Sequence, residues 1–478
     1  MRKDTPERSS QKIIKILPMF SSADPQALEK EKKELAKLDS QPTLKRWSGY
    51  FIKTGPGWLQ GAVTLGAGTA AACLFLGATY GYSLLWVQPL AMLVAIIMFM
   101  ASSHQTLSTG MKPFEAVRKY IHPALAWTWA IATLLSTIIW HFPQYALAGG
   151  VITDFINIFT GYAPSGMAQI ILLLVIGFFV FILAAFIVWN YGKGLRGTRI
   201  FERILKILIL IIIISFAIVF LRLAAKGNID WFALLKGFVP SFIPTDPKGA
   251  TLVMGAFSAA VGINMTFIFG YSQLARGWGK EHRALSRFDL ISGMLLPYVI
   301  AVSLITAVAA LVIYTPNQSI PGIISPVQVA KLVANTGLGL FFGRIIFDLG
   351  ILSMVLSTII MHMLICGFVA SEIFGVTPGS MRYKLSCLIP MPGVLGVVLW
   401  KYMGYWVAVP ASAIAGLMLP IAYLGWFILN NNRGFLGADM PTGKKRIVFN
   451  IVMLIAIAIS LAGIIFYLCA QSNLLRIK

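Results

Sequence analysis

From Gly55 onward the chain alternates long apolar runs with short polar ones. Eleven of the apolar runs are long enough to cross about 30 Å of hydrocarbon as a helix. They cover residues 56–82, 84–103, 124–150, 166–189, 203–224, 250–275, 288–313, 340–371, 384–402, 404–429 and 446–470, and are numbered here as spans one to eleven. The pattern predicts an all-α polytopic membrane domain over 49–478, preceded by a charged tail over 1–48. Within the tail, Asp24-Pro25 pairs an N-cap residue with a proline at the first helical position. Gln26 to Leu38 then carries Leu28, Leu35 and Leu38 among Glu and Lys, with Glu29 and Lys33 four apart. A short helix is expected there, as a solvated tail with no part in transport or as a regulatory element. The mixed charge of this segment does not fit a secretory signal, which needs a short apolar core behind a basic start.

Two spans look interrupted. Span one places Gly66, Ala67, Gly68 and Thr69 at mid-membrane depth, and span six places Gly262, Ile263 and Asn264 at the same depth. Each glycine weakens a helix by about 1 kcal/mol. The two interruptions stand five spans apart, which predicts two inverted five-helix repeats, each opening on a broken helix, plus one further span. A broken helix exposes backbone N–H and C=O groups that only a cavity, protein or ligand can satisfy inside a membrane. Those seven residues are therefore the candidate substrate site, and close packing through small residues is the competing explanation.

Composition narrows the class further. The 478 residues are 58% hydrophobic and 12% charged, against about 25% charged in soluble domains. Seven of the 17 acidic residues lie in the first 48 positions, which leaves ten for the remaining 430, too few for a soluble surface. The net charge of +22 would suit nucleic acid, but the cations sit in short segments between apolar runs. Loops near Lys112, Arg118 and Lys119, near Lys193, Arg196 and Arg199, from Arg276 to Arg287, near Arg382 and Lys384, and from Arg433 to Arg446 are basic. The alternate loops hold only Lys226, Lys236, Lys248, Lys331 and Lys401. This bias predicts a multi-pass plasma-membrane protein with its N-terminus cytosolic and Lys478 outside. Labels near Gly437 should then be protected in intact cells and labels near Asn317 modified. The expected partners are the lipid bilayer and a small solute or ion, with no nucleic acid.

The four cysteines fall in or beside apolar runs without a CxxC pair, and read as small hydrophobes. No nucleophile–base set or phosphate loop emerges, so neither an enzyme nor a cofactor is expected.

Three stretches carry a family resemblance. GPGWLQGAVTLGAGTAAACLFLGATYGYSLLWV (Gly55 to Val87) resembles the first helix and following loop of NRAMP-type (natural resistance-associated macrophage protein) metal transporters. LGILSMVLSTIIMHMLICGFVASEIFG (Leu349 to Gly375) is similar to the family's eighth helix, and NNRGFLGADMPTGKKRIVFNIVMLIAI (Asn431 to Ile457) to its loop between helices ten and eleven. The resemblance covers about residues 50–470. It implies the leucine-transporter (LeuT) fold, eleven helices, alternating access and metal-ion transport.

The resemblance also locates a departure. The family holds a transition-metal dication with an Asp-Pro-Gly-Asn stretch in helix one and a Met-Pro-His stretch in helix six. The matching positions here are Gly66, Ala67, Gly68 and Thr69, and Gly262, Ile263 and Asn264. Even the magnesium-transporting relatives resemble the family in keeping the aspartate. The substrate is accordingly expected to be neither manganese nor iron, but a hydrated magnesium-like cation or a non-metal solute. The alternatives are an amino acid or small organic anion, attracted by N–H groups freed at the Gly-x-Gly break, and a transport-dead sensor or scaffold.

Other polar residues within the spans are candidates in their own right. His141, with Pro143 and Gln144 in span three, lies about where the family carries proton-pathway acids, and reads as a proton relay, a gating residue or a hydrogen-bonded core histidine. His362 reads as packing, Arg344 and Asp348 as an interfacial ion pair, and Glu202 as the solvated entrance of span five.

Overall fold

Proline and glycine set where the helices start and stop. Pro56, Pro113, Pro123, Pro247 and Pro326 each occupy a first-turn position, where a missing N–H costs nothing. Gly110 and Gly161 close spans two and three at φ of 65° and 70°, a left-handed conformation that side chains resist. The computed structural model describes residues 25–191, 194–227, 229–315, 325–403 and 408–472. Asp24, Lys193, Asn317 and Lys478, all used in the sequence reading, lie outside them.

Among the described residues there is no strand, and the helices give ten spans, or eleven when a bent pair is taken as one. That pair is α3 (Pro56–Thr64) and α4 (Ala67–Tyr80), which meet at 53°. Span six, Pro247–Ala275, is also two helices, α5 (Pro247–Ala260) and α6 (Ile263–Ala275). The remaining spans are Val87–Thr109, Pro123–Thr160, Gly166–Val188, Arg196–Ala224, Lys280–Ile313, Phe341–Ile373, Met381–Leu399, Ala408–Asn430 and Gly443–Gln471.

Half of the boundaries move outward from the apolar runs, where amphipathic turns continue a helix past the hydrocarbon. Span three runs to Thr160 and passes through Pro143 without stopping. Span nine is the irregular one. Pro390, Pro392 and Gly393 interrupt its ladder, giving a short helix, a 3₁₀ turn over Met391–Leu395 and a second helix from Gly396.

Spans six and eight form the centre, with 94% and 83% of their apolar windows buried, whereas span eleven has only 22% buried. Span eight packs along spans three and five, and span ten along span six. Half-helix α3 lies against span seven with backbone close to backbone at its glycines. A Cβ on Gly61 would fall 2.2 Å from the Gly293 carbonyl oxygen, and one on Gly57 2.2 Å from that of Asp289. Asp289 also caps α3, accepting from Gly55 N–H at 3.0 Å and Gly57 N–H at 2.6 Å, two donors that a helix start leaves unpaired. Span seven meets α3 through a π-helical turn, Ile291–Leu295.

The tail is a packed arm rather than a solvated segment. Its helices are α1 (Pro25–Asp39) and α2 (Thr43–Lys53), and α2 runs across position 48. Leu35 and Tyr50 are buried in a small cluster with Leu107, Trp278 and Leu285. Within α1, Glu29 pairs with Lys32 at 3.3 Å rather than with Lys33.

Three further expectations are corrected. Glu202 is not solvated: it is 3% exposed and holds Arg276 at 2.7 Å, because the arm covers that end of span five. Arg344 does not pair with Asp348. Both arms of its guanidinium turn to Asp154 of span three, Nε at 2.6 Å, and Asp348 lies buried beside Asp154. His362 is more than packing, since its Nδ1 lies 3.3 Å from Nδ1 of His141. Cys73, Cys366 and Cys387 are buried thiols, and Cys469 is half-buried.

Candidate functional site between two broken helices

Span one leaves helical geometry at Leu65 (φ −88°, ψ 75°) and Gly66 (φ −128°, ψ −168°). The break exposes carbonyls at the end of α3 and N–H groups at the start of α4. Neighbouring spans supply the partners. Gln144 accepts from Ala67 N–H at 2.9 Å and donates to the Trp140 carbonyl at 3.3 Å, so span three holds the start of α4. The Thr358 hydroxyl lies 3.1 Å from the carbonyl oxygens of both Ala62 and Leu65, and Ser357 lies 3.2 Å from that of Ala62. Span eight thus holds the end of α3. Thr69 closes the break on itself, donating to the Thr64 carbonyl at 2.5 Å, and lies 3.3 Å from the Ala259 carbonyl of α5.

Span six breaks at Val261 (φ −147°, ψ 120°) and Gly262 (φ −100°, ψ 165°). Here the nearest partners are internal. Gly262 N–H points to the Met265 sulfur at 3.4 Å, and the Thr266 hydroxyl donates to the Ile263 carbonyl at 2.5 Å. Trp129 Nε1 donates to Thr266 Oγ1 at 2.8 Å, and Thr133 Oγ1 lies 3.4 Å from the Ile263 carbonyl. A Cβ on Gly262 would stand 2.5 Å from the Trp140 ring. Asn264 is fully buried, and neither atom of its amide has a hydrogen-bond partner.

A cavity of about 20 Å³ lies between the two breaks, room for a single water. Span one lines it with Val63, Thr64, Gly66, Gly68 and Thr69, and span six with Ala259 and Met265. Trp140, Pro143 and Gln144 of span three, Thr358 of span eight, and Ala408 and Ser412 of span ten complete it. None of these side chains is ionisable. Among the described residues no group of three or more His, Cys, Asp or Glu could hold a metal ion.

Of the residues expected from the sequence, Gly66, Gly68, Thr69 and Gln144 line the cavity, and Ala67 adjoins it through its N–H. Gly262 packs on Trp140 beside it, and Ile263 and Asn264 are buried one step behind it. His141 does not reach it. With its Nδ1 beside that of His362, it bridges spans three and eight one turn from Gln144 and Thr358. The Nε2 atoms of both rings are buried without a partner. Sequence reasoning missed Met265, Thr358, Trp140 and Ser412. Only Trp140 had a usable signal, standing four residues before Gln144 on one helical face.

This bundle defines a multi-pass membrane protein of LeuT-like fold, in which two discontinuous helices face each other across a small cavity. The family profile described as Natural resistance-associated macrophage protein-like (Nramp) matches residues 57–466, and the chain belongs to that family. It is 19% identical over 412 residues to a Yersinia pestis protein named divalent metal cation transporter MntH, covering 85% of this chain and 93% of that one. The fold is similar to that of the manganese transporter of Eremococcus coleocola, crystallised with an aromatic bis-isothiourea substituted compound (TM-score 0.65, 16% identity, 87% of each chain). It is also similar to Mhp1, a nucleobase-cation-symport-1 family transporter in a closed conformation with bromovinylhydantoin bound (TM-score 0.53, 12% identity, 87% of this chain and 91% of that one).

Proposed function

We propose that the protein is a secondary membrane transporter working by alternating access, with its substrate held between the breaks in spans one and six. The observation that carries this reading is the uncharged cavity at which four half-helix ends converge. Membership of the Nramp family, and relatives named as divalent metal cation transporters, support an ion as the cargo.

The lining bears on which ion. Taking a unit charge out of water costs several kcal/mol, and a dication more. A carboxylate at 4 Å would offset about 4 kcal/mol per unit of cation charge at an effective dielectric near 20. No carboxylate lines this cavity, so the site favours a cation that keeps part of its water, as magnesium does, over manganese or iron. The Met265 thioether is a soft donor that would favour those metals, but it is engaged with the Gly262 N–H. A second reading, a small organic anion or amino acid, is supported by the N-terminus of α4, which opens at the cavity through Gly66 and Gly68. The basic loops support a cytosolic placement of the arm-bearing face.

Uptake into proteoliposomes tests the reading, using a magnesium indicator, manganese quenching and labelled amino acids side by side. Magnesium entry without manganese entry is the expected result. A micromolar manganese site in isothermal titration that disappears in Met265→Ala would overturn the substrate assignment. Failure of every solute to move would leave the sensor reading standing.

A further inference from the structure

Residues 25–53 precede the Nramp match, yet they are firmly fastened to one face of the bundle. Glu31, 6% exposed, reaches Arg199 of span five at 2.9 Å and Arg276 at the end of span six at 3.5 Å. Arg276 also holds Glu202 and donates to the Lys53 carbonyl at 3.2 Å. Lys32 pairs with Glu281 at the start of span seven at 3.0 Å, and Lys53 closes the arm on Glu34 at 2.8 Å. Buried charges of this kind are tolerated only while every partner is in place. The arm is therefore seated only when the ends of spans five, six and seven stand together.

The second arm helix presents a different surface. Its Tyr50 turns inward to Asp39 and to the ring of Phe288. Leu44, Trp47, Phe51 and Ile52 remain 80%, 50%, 47% and 80% exposed. They recur at i, i+3, i+7 and i+8 and form one stripe. Lys45 and Arg46 accompany the stripe, and α2 contains no acidic residue. Two residues separate α2 from Pro56, where span one begins, so the stripe stands at the end of the membrane-spanning bundle. An apolar face with cationic flanks at that level matches the headgroup layer of an anionic leaflet.

We propose that α2 is moored in an anionic lipid surface, and that it holds α1 across the ends of spans five, six and seven as a latch that must lift before the substrate path opens on that side. The latch rests on the transporter reading; the mooring does not.

The test uses the full chain in vesicles of phosphatidylcholine with or without phosphatidylglycerol. Cys469→Ser removes the one thiol that is not buried, and Leu44→Cys carries an environment-sensitive fluorophore. Mooring predicts blue-shifted emission, quenched by lipids spin-labelled near the headgroup and more strongly in the anionic vesicles. Neutralising Lys45 and Arg46 with glutamine should lower the ratio of moored to free arm by about fivefold per charge. Emission typical of water, quenched by iodide in both compositions, would overturn the mooring. For the latch, Glu31→Gln should speed hydrogen exchange in residues 56–64 and 270–290, and the half-buried Lys32→Gln should do so more weakly without threatening the fold. Unchanged exchange in both variants would overturn the latch. Fluorescence and exchange need no transported solute, so a failed uptake assay would count against the transporter reading alone.

Discussion

Span one turns by 53° at a break clasped from outside, by Gln144 of span three and by Ser357 and Thr358 of span eight. Span six breaks at the same depth but continues as one span, and its gap is bridged mostly by its own Met265 and Thr266. Beside that second break sits Asn264, with its amide unused. The first break has its exposed backbone groups bonded by neighbouring spans. The second retains a buried donor and acceptor without partners, one step behind the cavity.

The largest effect that can break this comparison is steric. Gly262 faces a rigid indole, so Gly262→Ala should lower stability by about 1–3 kcal/mol. Gly68 meets only the Ser412 hydroxyl at 2.8 Å, so Gly68→Ala should cost much less in a thermal melt. Gly68→Leu should instead fill the cavity and abolish the ligand-induced rise in melting temperature while the chain still folds. Equal stability losses for the two alanine variants would mean that both breaks are packing devices.

The next effect concerns the clasp. Gln144→Leu removes the acceptor for the Ala67 N–H and should cost about 1 kcal/mol, measured by thermal unfolding. Asn264→Leu sharpens the contrast, because it deletes polar atoms that bond to nothing in this state. Its stability should not fall below the parent's, because a buried donor and acceptor without partners are removed, while its ligand response weakens. A large loss of stability would show that the Asn264 amide is structural after all.

The smallest effect gives a pH baseline outside the spans. Partial burial pushes the Asp439 carboxyl up, but hydrogen bonds from Lys280 and Arg283 outweigh this and hold it below 3.8. Its stabilisation is fully present above the unfolded value near 3.8 and is lost as pH falls through the lower folded value. Asp439→Asn should therefore cost under about 1 kcal/mol at neutral pH, and its melting temperature should converge with the parent in acid. The Gln144 and Asn264 variants should keep the parental acid limb.

Gly66, Gly68, Gly262 and Asn264 were legible because helix-weakening residues at equal depth are rare enough to stand out. Thr358 and Met265 were not. A hydroxyl or thioether inside an apolar run has no period that separates a ligand from packing, and its partner is fixed only when spans meet. Glu202 shows the same limit in reverse. Beside Arg203 and Lys206 it reads as a wet helix entrance, and only an arm more than 150 residues away in sequence buries it. The spans themselves were readable because hydrocarbon thickness imposes a length, whereas ends such as Thr160 are set by local capping beyond it.

The close approach of α3 to span seven has a kinematic consequence. Gly57, Gly61 and Gly293 bring backbone against backbone, and the Asp289 carboxylate pins the start of α3 to the same partner. Ordinary helices slide past each other by changing rotamers in the layer between them, and at these glycines that layer is missing. Displacing α3 along span seven would therefore have to shift backbone rather than rotamers, and the adjoining chain already leaves helical geometry at Leu65 and Gly66.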